Sequence, residues 1–196
     1  MTKDPISECF AAATTELTRR PHQFKAQEIK DVLWSLSKVK CSPPIYYFAY
    51  LLYASNQILF LQAGIRHPEV FRSVAEHLAG SEDDIANGRI GRGMDEFSPQ
   101  GLGNLAWAYA KQAQLVAGVS DSTIGSTGRL AVYETSCLDV GEDLIQRLFS
   151  SIAETSTKNL DRFKPQDLSN TCWAFATLGL LHKQFFNTVS EQVCDR

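Results

Sequence analysis

Three stretches of this 196-residue chain repeat one pattern, in which a tryptophan follows ten residues after a phenylalanine. The stretches read FKAQEIKDVLW, FSPQGLGNLAW and FKPQDLSNTCW, with glutamine always fourth, isoleucine or leucine sixth, and aspartate or asparagine eighth. Recurrence at fixed spacing is the signature of a repeat architecture, and it restricts the fold more than any other feature of the chain. We call this pattern unit A, and its phenylalanine and tryptophan pairs are Phe24 and Trp34, Phe97 and Trp107, and Phe163 and Trp173.

A second pattern, unit B, places valine or isoleucine three residues and glutamate five residues after a phenylalanine. It begins at Phe71, Phe149 and Phe186. The shortest spacings are 10 residues within unit A, 13 from unit A to unit B, and 14 from unit B to the next unit A, which together give a period of 37 residues. The longer gaps between the remaining units therefore predict insertions of 24, 12 and 29 residues.

Both units have the hydrophobic periodicity of helices. In unit A the apolar residues fall 5, 8, 9 and 12 positions after the phenylalanine, which is one stripe at about 100° per residue. Pro99 and Pro165 suit the first position of a helix, where a missing N–H costs nothing, and Ser98 is a typical cap. Gly179 can end the third copy.

The predicted fold is all-α, an α-solenoid of helix pairs, because short helix pairs of this kind bury their apolar faces only by stacking on neighbours. One array is expected over residues 1–196, and neither end has the polar outer face of a capping repeat, so we expect a fragment of a longer array. The repeat units are predicted near 8–39, 67–115, 141–179 and 182–195, and the insertions near 41–64, 80–95 and 116–140.

The insertion at 41–64 carries no charged residue. Its length suits a membrane span near 45–63, but Pro43 and Pro44 at the start and Ser55 to Gln57 in the middle argue against one. We therefore predict no membrane partner. The sequence leaves open whether this stretch is a genuine insertion or translated non-coding sequence from a faulty gene model.

The spacing of the cysteines and histidines does not support catalysis or metal binding. The five cysteines are scattered without a Cys-x-x-Cys pair, and no histidine pairs with a cysteine or an acid at a metal or catalytic-triad spacing. We expect no enzyme activity, metal, cofactor or small-molecule substrate. The formal charge of −3 means that any nucleic-acid site must depend on local rather than overall charge.

The string FKPQDLSNTCWAFATLG from Phe163 to Gly179, echoed from Phe97 to Ala110, resembles a known type of helical repeat. It is similar to the octotricopeptide repeats of organellar RNA-binding proteins, to the related leucine-rich region of FAST-kinase-domain proteins, and to the subunits of RNA-editing substrate-binding complexes. The resemblance covers the A and B units. The first copy departs from it, with Asp31 in place of asparagine and Ser35 in place of alanine.

This resemblance implies binding of single-stranded organellar RNA, in support of RNA processing, mRNA stability or translation in a ribonucleoprotein granule. Other RNA-processing proteins are possible partners, and the implied location is the mitochondrial matrix, with the plastid as alternative. No targeting peptide is readable at the N-terminus. The expected RNA-contacting residues are lysines at helix starts and ends and two asparagines of unit A: Lys25, Lys30, Lys38, Lys111, Lys164, Asn104 and Asn170.

Three alternatives stay open at the level of sequence. Stacked helix pairs also serve as protein–protein scaffolds without RNA binding, and the placement of the exposed lysines distinguishes the two functions. The tryptophans can stack on bases, but the repeat favours a structural core made of the unit A and unit B aromatic residues. That predicted core consists of Trp34, Trp107, Trp173, Phe24, Phe97, Phe163, Phe71, Phe149 and Phe186. Asn104 and Asn170 can contact bases or bond backbone groups between repeats.

Overall fold

The computed structural model describes residues 5–38, 68–80, 93–116 and 140–194. Within these ranges the chain is all-α, as the sequence predicts, and it has no strand. The described residues form seven α-helices, which are α1 (Pro5–Arg19), α2 (Ala26–Lys38), α3 (Pro68–Ala79), α4 (Pro99–Val116), α5 (Glu142–Lys158), α6 (Pro165–Thr177) and α7 (Lys183–Cys194). The three tryptophans lie in α2, α4 and α6, and the phenylalanines of unit B lie in α3, α5 and α7.

Local sequence signals set the ends of the unit A helices. Helices α4 and α6 begin on Pro99 and Pro165, and the Gly101 N–H donates to the Ser98 Oγ at 3.1 Å. Helix α6 ends in a Schellman motif, in which Gly179 has a φ of 66°. There the Leu180 N–H donates to the Phe175 carbonyl at 2.9 Å, and the Gly179 N–H to the Ala176 carbonyl at 3.2 Å.

Each unit A helix is preceded by a 3₁₀ turn, which the sequence patterns do not predict. The turns are Pro21–Gln23, Met94–Glu96 and Leu160–Arg162. The repeated phenylalanine of unit A follows each turn in an extended conformation and donates its N–H back to the first carbonyl of the turn. This explains why the phenylalanine recurs at a fixed distance from the tryptophan, since it joins the turn to the helix.

The helices form two rows. Row A consists of α2, α4 and α6, in which α4 packs against both of the others. Row B consists of α1, α3, α5 and α7, each packed against the next. The helices of row A run parallel. Trp107 contacts Trp173, and Gly103, four residues earlier in α4, approaches Asp167 and Thr171 of α6.

A chain of aromatic contacts joins the two rows. Tyr109 of α4 lies edge-on to Phe71 of α3, with ring centroids 4.9 Å apart, and edge-on to Phe149 of α5 at 6.5 Å. Phe149 then meets Phe175 of α6 at 5.0 Å. The Tyr109 hydroxyl donates to the Phe71 carbonyl at 2.8 Å, which satisfies the one polar atom that this buried side chain brings into the core.

Several sequence predictions concern residues that are not described. The insertion at 41–64 and the membrane span weighed at 45–63 lie outside the described residues, as do most of the insertions at 80–95 and 116–140. Among the helices in the described ranges, none is long and apolar enough to cross a membrane.

Candidate functional site

The three tryptophans form a row across three different helices. The Trp34 and Trp107 ring centroids are 6.5 Å apart with an interplanar angle of 41°, and those of Trp107 and Trp173 are 6.4 Å apart with an angle of 28°. All three side chains are partly exposed, although Trp173 also packs against the core. The row is therefore at the surface of row A and not inside the core between the rows.

Polar residues lie on the same face of each unit A helix. Positions seven and three residues before the tryptophan share its face, because the helix repeats every 3.6 residues. The first of these positions holds an exposed glutamine in every copy, and the second a partly exposed aspartate or asparagine. We call these nine residues the tryptophan face: Gln27, Asp31, Trp34, Gln100, Asn104, Trp107, Gln166, Asn170 and Trp173.

The copies of this face differ in their hydrogen bonding. In α2 the Gln27 Nε2 donates to the Asp31 Oδ2 at 3.0 Å, and the Lys30 Nζ lies 2.5 Å from the Asp31 Oδ1. No side-chain hydrogen bond joins Asn104 or Asn170 to any residue within the described ranges, so the two amides form no ladder with backbone groups there. Among the described residues the side-chain amides of α4 and α6 are therefore not hydrogen-bonded, whereas the carboxylate of α2 is engaged at both oxygens.

The predicted lysine contacts do not share one environment. Lys25 and Lys164 are exposed, and each directly precedes a helix of row A. The Lys25 N–H donates to the Glu28 Oε2 at 2.8 Å, which caps α2. Lys164 is placed in the same way before α6, where its N–H donates to the Asp167 Oδ2 at 3.2 Å.

The other lysines are less accessible or not described. Lys111 of α4 is partly exposed, and it lies four residues after Trp107, on the side of the tryptophan face. Lys30 is only 7% exposed, so it is not presented to a ligand as Lys25 and Lys164 are. The side chain of Lys38 lies outside the described part of the structure.

The repeated phenylalanines mostly lie in the interior. Phe71, Phe97, Phe149 and Phe163 are buried, whereas Phe24 and Phe186 are partly buried and pack against the core. In α7 the neighbouring Phe185 is fully buried, a role that the unit B spacing does not predict. Tyr109 and Phe175 lie on the predicted apolar stripe of unit A, twelve residues after the phenylalanine. The sequence alone does not show that they link the two rows.

A small cavity of about 150 Å³ lies between α2, α3 and the 3₁₀ turns that precede α2 and α4. His22, His77 and Glu96 are among its lining residues. Burial lowers the pKa of His77, the nearby His22 lowers it further, and Glu96 partly opposes the shift. Within the described ranges no group of three or more histidine, cysteine or acidic side chains is arranged to hold a metal ion.

Comparison of the chain with protein-family models, with curated proteins and with solved structures gives no match.

Proposed function

We propose that this chain is an α-solenoid of helix-pair repeats that binds single-stranded RNA along the tryptophan face. The observation that carries the proposal is the row of three partly exposed indoles, flanked in α4 and α6 by amides without a hydrogen-bond partner among the described residues. Unpaired bases stack on aromatic side chains and hydrogen-bond to amides through their edges. The parallel helices of row A support the solenoid, because each repeat then offers the same positions to a strand that runs along the row.

The charges at one edge of row A suit a phosphate backbone. Because the helices are parallel and each tryptophan lies at the same distance from its helix start, the N-termini of α2 and α6 lie along one edge. Lys25 and Lys164 stand at these N-termini with exposed side chains, while Glu28 and Asp167 already accept hydrogen bonds from the backbone N–H groups there. A strand with its bases on the indoles and its phosphates toward this edge would meet these two lysines despite the net charge of −3.

Intrinsic fluorescence tests the proposal directly, because all three tryptophans of the chain belong to the tryptophan face. We expect unstructured RNA to quench this fluorescence saturably and the affinity to fall as salt is added. The logarithm of the association constant should fall linearly with the logarithm of the salt concentration. For a single strand, the loss of one phosphate contact should reduce the magnitude of this slope by about 0.7. A chain that shows no salt-dependent RNA binding even at low ionic strength would refute the proposal.

A matched pair of lysines separates a specific site from general charge attraction. Lys164 and Lys183 are both exposed and both stand at helix starts, but α6 belongs to row A and α7 to row B. Lys164→Ala should weaken RNA binding and reduce the salt slope, whereas Lys183→Ala should leave both unchanged. Equal effects would mean that the RNA is held by overall charge and not along the tryptophan face. If the chain is a protein scaffold, its fluorescence should instead change on addition of a protein partner, and it should show no salt-dependent binding of RNA.

The cellular role we propose is in organellar RNA metabolism, in the mitochondrial matrix or the plastid, affecting RNA processing, mRNA stability or translation. This role rests on the resemblance of unit A to organellar repeat proteins. Crosslinking in intact cells followed by sequencing of the bound RNA tests it. Recovery of cytosolic transcripts alone would contradict the location while leaving the RNA-binding proposal standing.

A further inference from the structure

The three copies of unit A are not equivalent at the position three residues before the tryptophan. In α2 both carboxylate oxygens of Asp31 are engaged, one by Gln27 and the other by Lys30. In α4 and α6 the corresponding Asn104 and Asn170 have no side-chain hydrogen bond within the described ranges, and neither do the glutamines that precede them, Gln100 and Gln166. We therefore call the α2 copy closed, because its polar side chains contact one another, and the α4 and α6 copies open.

We infer that base recognition is confined to α4 and α6, and that the ligand they take is two neighbouring unpaired bases of an RNA strand. This inference rests on the proposed function. An amide offers a donor and an acceptor side by side, which matches the adjacent donor and acceptor on the edge of a base. The Trp107 and Trp173 rings are 6.4 Å apart, so the bases that they contact belong to neighbouring nucleotides unless the strand folds back on itself.

The α2 copy is unsuited to the same role. A carboxylate only accepts hydrogen bonds, so it has no donor to offer a base, and both oxygens of Asp31 are already engaged. Lys30 neutralises Asp31 but is itself buried, so it adds no exposed positive charge in compensation. Trp34 then continues the aromatic row without a free amide beside it.

The three glutamines provide a matched set of variants. Gln27, Gln100 and Gln166 are all exposed, lie at the same place in their helices, and gain helix propensity on replacement by alanine. We expect Gln100→Ala, Gln166→Ala, Asn104→Ala and Asn170→Ala to weaken binding of a labelled unstructured RNA oligonucleotide by about 2- to 13-fold each. Gln27→Ala should weaken binding less than Gln100→Ala does. Gln184→Ala is the control outside the tryptophan face, because Gln184 is exposed at the second position of α7 in row B, and it should leave the dissociation constant unchanged.

A second variant opens the closed copy. Lys30→Ser with Asp31→Asn gives α2 the residues that α6 has at Ser169 and Asn170, and it removes both charges of the pair together. This double variant should bind RNA more tightly than the wild type by a similar factor, and circular dichroism checks that it remains folded.

The outcomes separate the inference from the proposed function. If the wild type binds RNA and Gln27→Ala weakens binding as much as Gln100→Ala, all three copies contact the strand and the inference is overturned, while the proposed function stands. The asparagine variants binding like the wild type would also overturn the inference. If the wild type binds no unstructured RNA at low salt, the proposed function fails and the inference fails with it.

Discussion

Replacement of Tyr109 by phenylalanine isolates one contact between the two helix rows. The Tyr109 side chain is fully buried, and its hydroxyl donates to the Phe71 carbonyl at 2.8 Å. Phenylalanine keeps the edge-on packing against Phe71 and Phe149 but removes this hydrogen bond and leaves a small void. We expect Tyr109→Phe to lower the free energy of unfolding by about 1–2 kcal/mol at neutral pH.

The same variant should behave differently at alkaline pH. Burial raises the pKa of Tyr109 well above its ordinary value of 10.0, so the folded protein keeps the phenol protonated where the unfolded chain ionises it. Below pH 10 both states hold the proton and the difference between wild type and variant is constant. Above pH 10 the unfolded wild type releases the proton, and the wild type loses about 1.4 kcal/mol of stability per pH unit relative to Tyr109→Phe. The two stability curves should therefore meet about one pH unit above 10.

Urea unfolding followed by far-UV circular dichroism from pH 7 to pH 11 measures this difference, since titrations common to both proteins cancel. Ser73→Ala is the matched control, because the Ser73 hydroxyl donates to the Thr18 carbonyl at 2.8 Å between α3 and α1 and does not titrate in this range. Its effect on the free energy of unfolding should not depend on pH. A difference between wild type and Tyr109→Phe that stays constant up to pH 11 would refute the reasoning, as would no difference at neutral pH.

Three further measurements test other features of the fold. A Cβ at Gly103 would lie 3.0 Å from the Asp167 carbonyl oxygen, whereas one at Gly101 would meet side-chain atoms only, the nearest of them at 3.3 Å. Thermal or urea unfolding should therefore find Gly103→Ala at least about 1 kcal/mol less stable than Gly101→Ala, and equal stability would contradict the close approach of α4 and α6. The lowered pKa of His77 means that the wild type loses stability as pH falls below 6.5, so His77→Gln should be less acid-sensitive; identical pH profiles would be the contrary result. Burial raises the pKa of the half-buried Cys172 thiol, so mass spectrometry should find it alkylated more slowly at pH 8 than the exposed Cys194, and equal rates would show that the thiol is accessible.

Much of the local structure could be predicted from the sequence. The period of unit A places Leu102 and Leu168 on the buried stripe, and both are buried. Pro99, Pro165 and Gly179 stand at helix ends because proline lacks an N–H and glycine adopts a positive φ, which are properties of single residues. Such signals act within a few residues along the chain, so no knowledge of the tertiary structure is needed to interpret them.

The candidate site depended on contacts between helices and could be predicted only in part. The tryptophan, asparagine and glutamine positions fall on one helix face by periodicity alone. Whether that face is buried or exposed is decided by what packs beside it, and the tryptophans are partly exposed whereas Phe97 and Phe163 are buried. The role of Lys30 is the clearest case, because a lysine at a helix position predicts an exposed charge and the structure buries it beside Asp31.

Local signals in the sequence therefore predict the unit A helices, their ends and the face that these helices share. These depend on backbone conformation and 3.6-residue periodicity, which are local. The meeting of Trp34, Trp107 and Trp173 in one row results from helix packing, because the distances between their rings depend on how closely α2, α4 and α6 approach. Gly103 permits that approach between α4 and α6, and the Ser37 hydroxyl, which donates to the Ala108 carbonyl at 3.0 Å, joins α2 to α4. Contacts between residues so far apart in the chain have no local signature in the sequence.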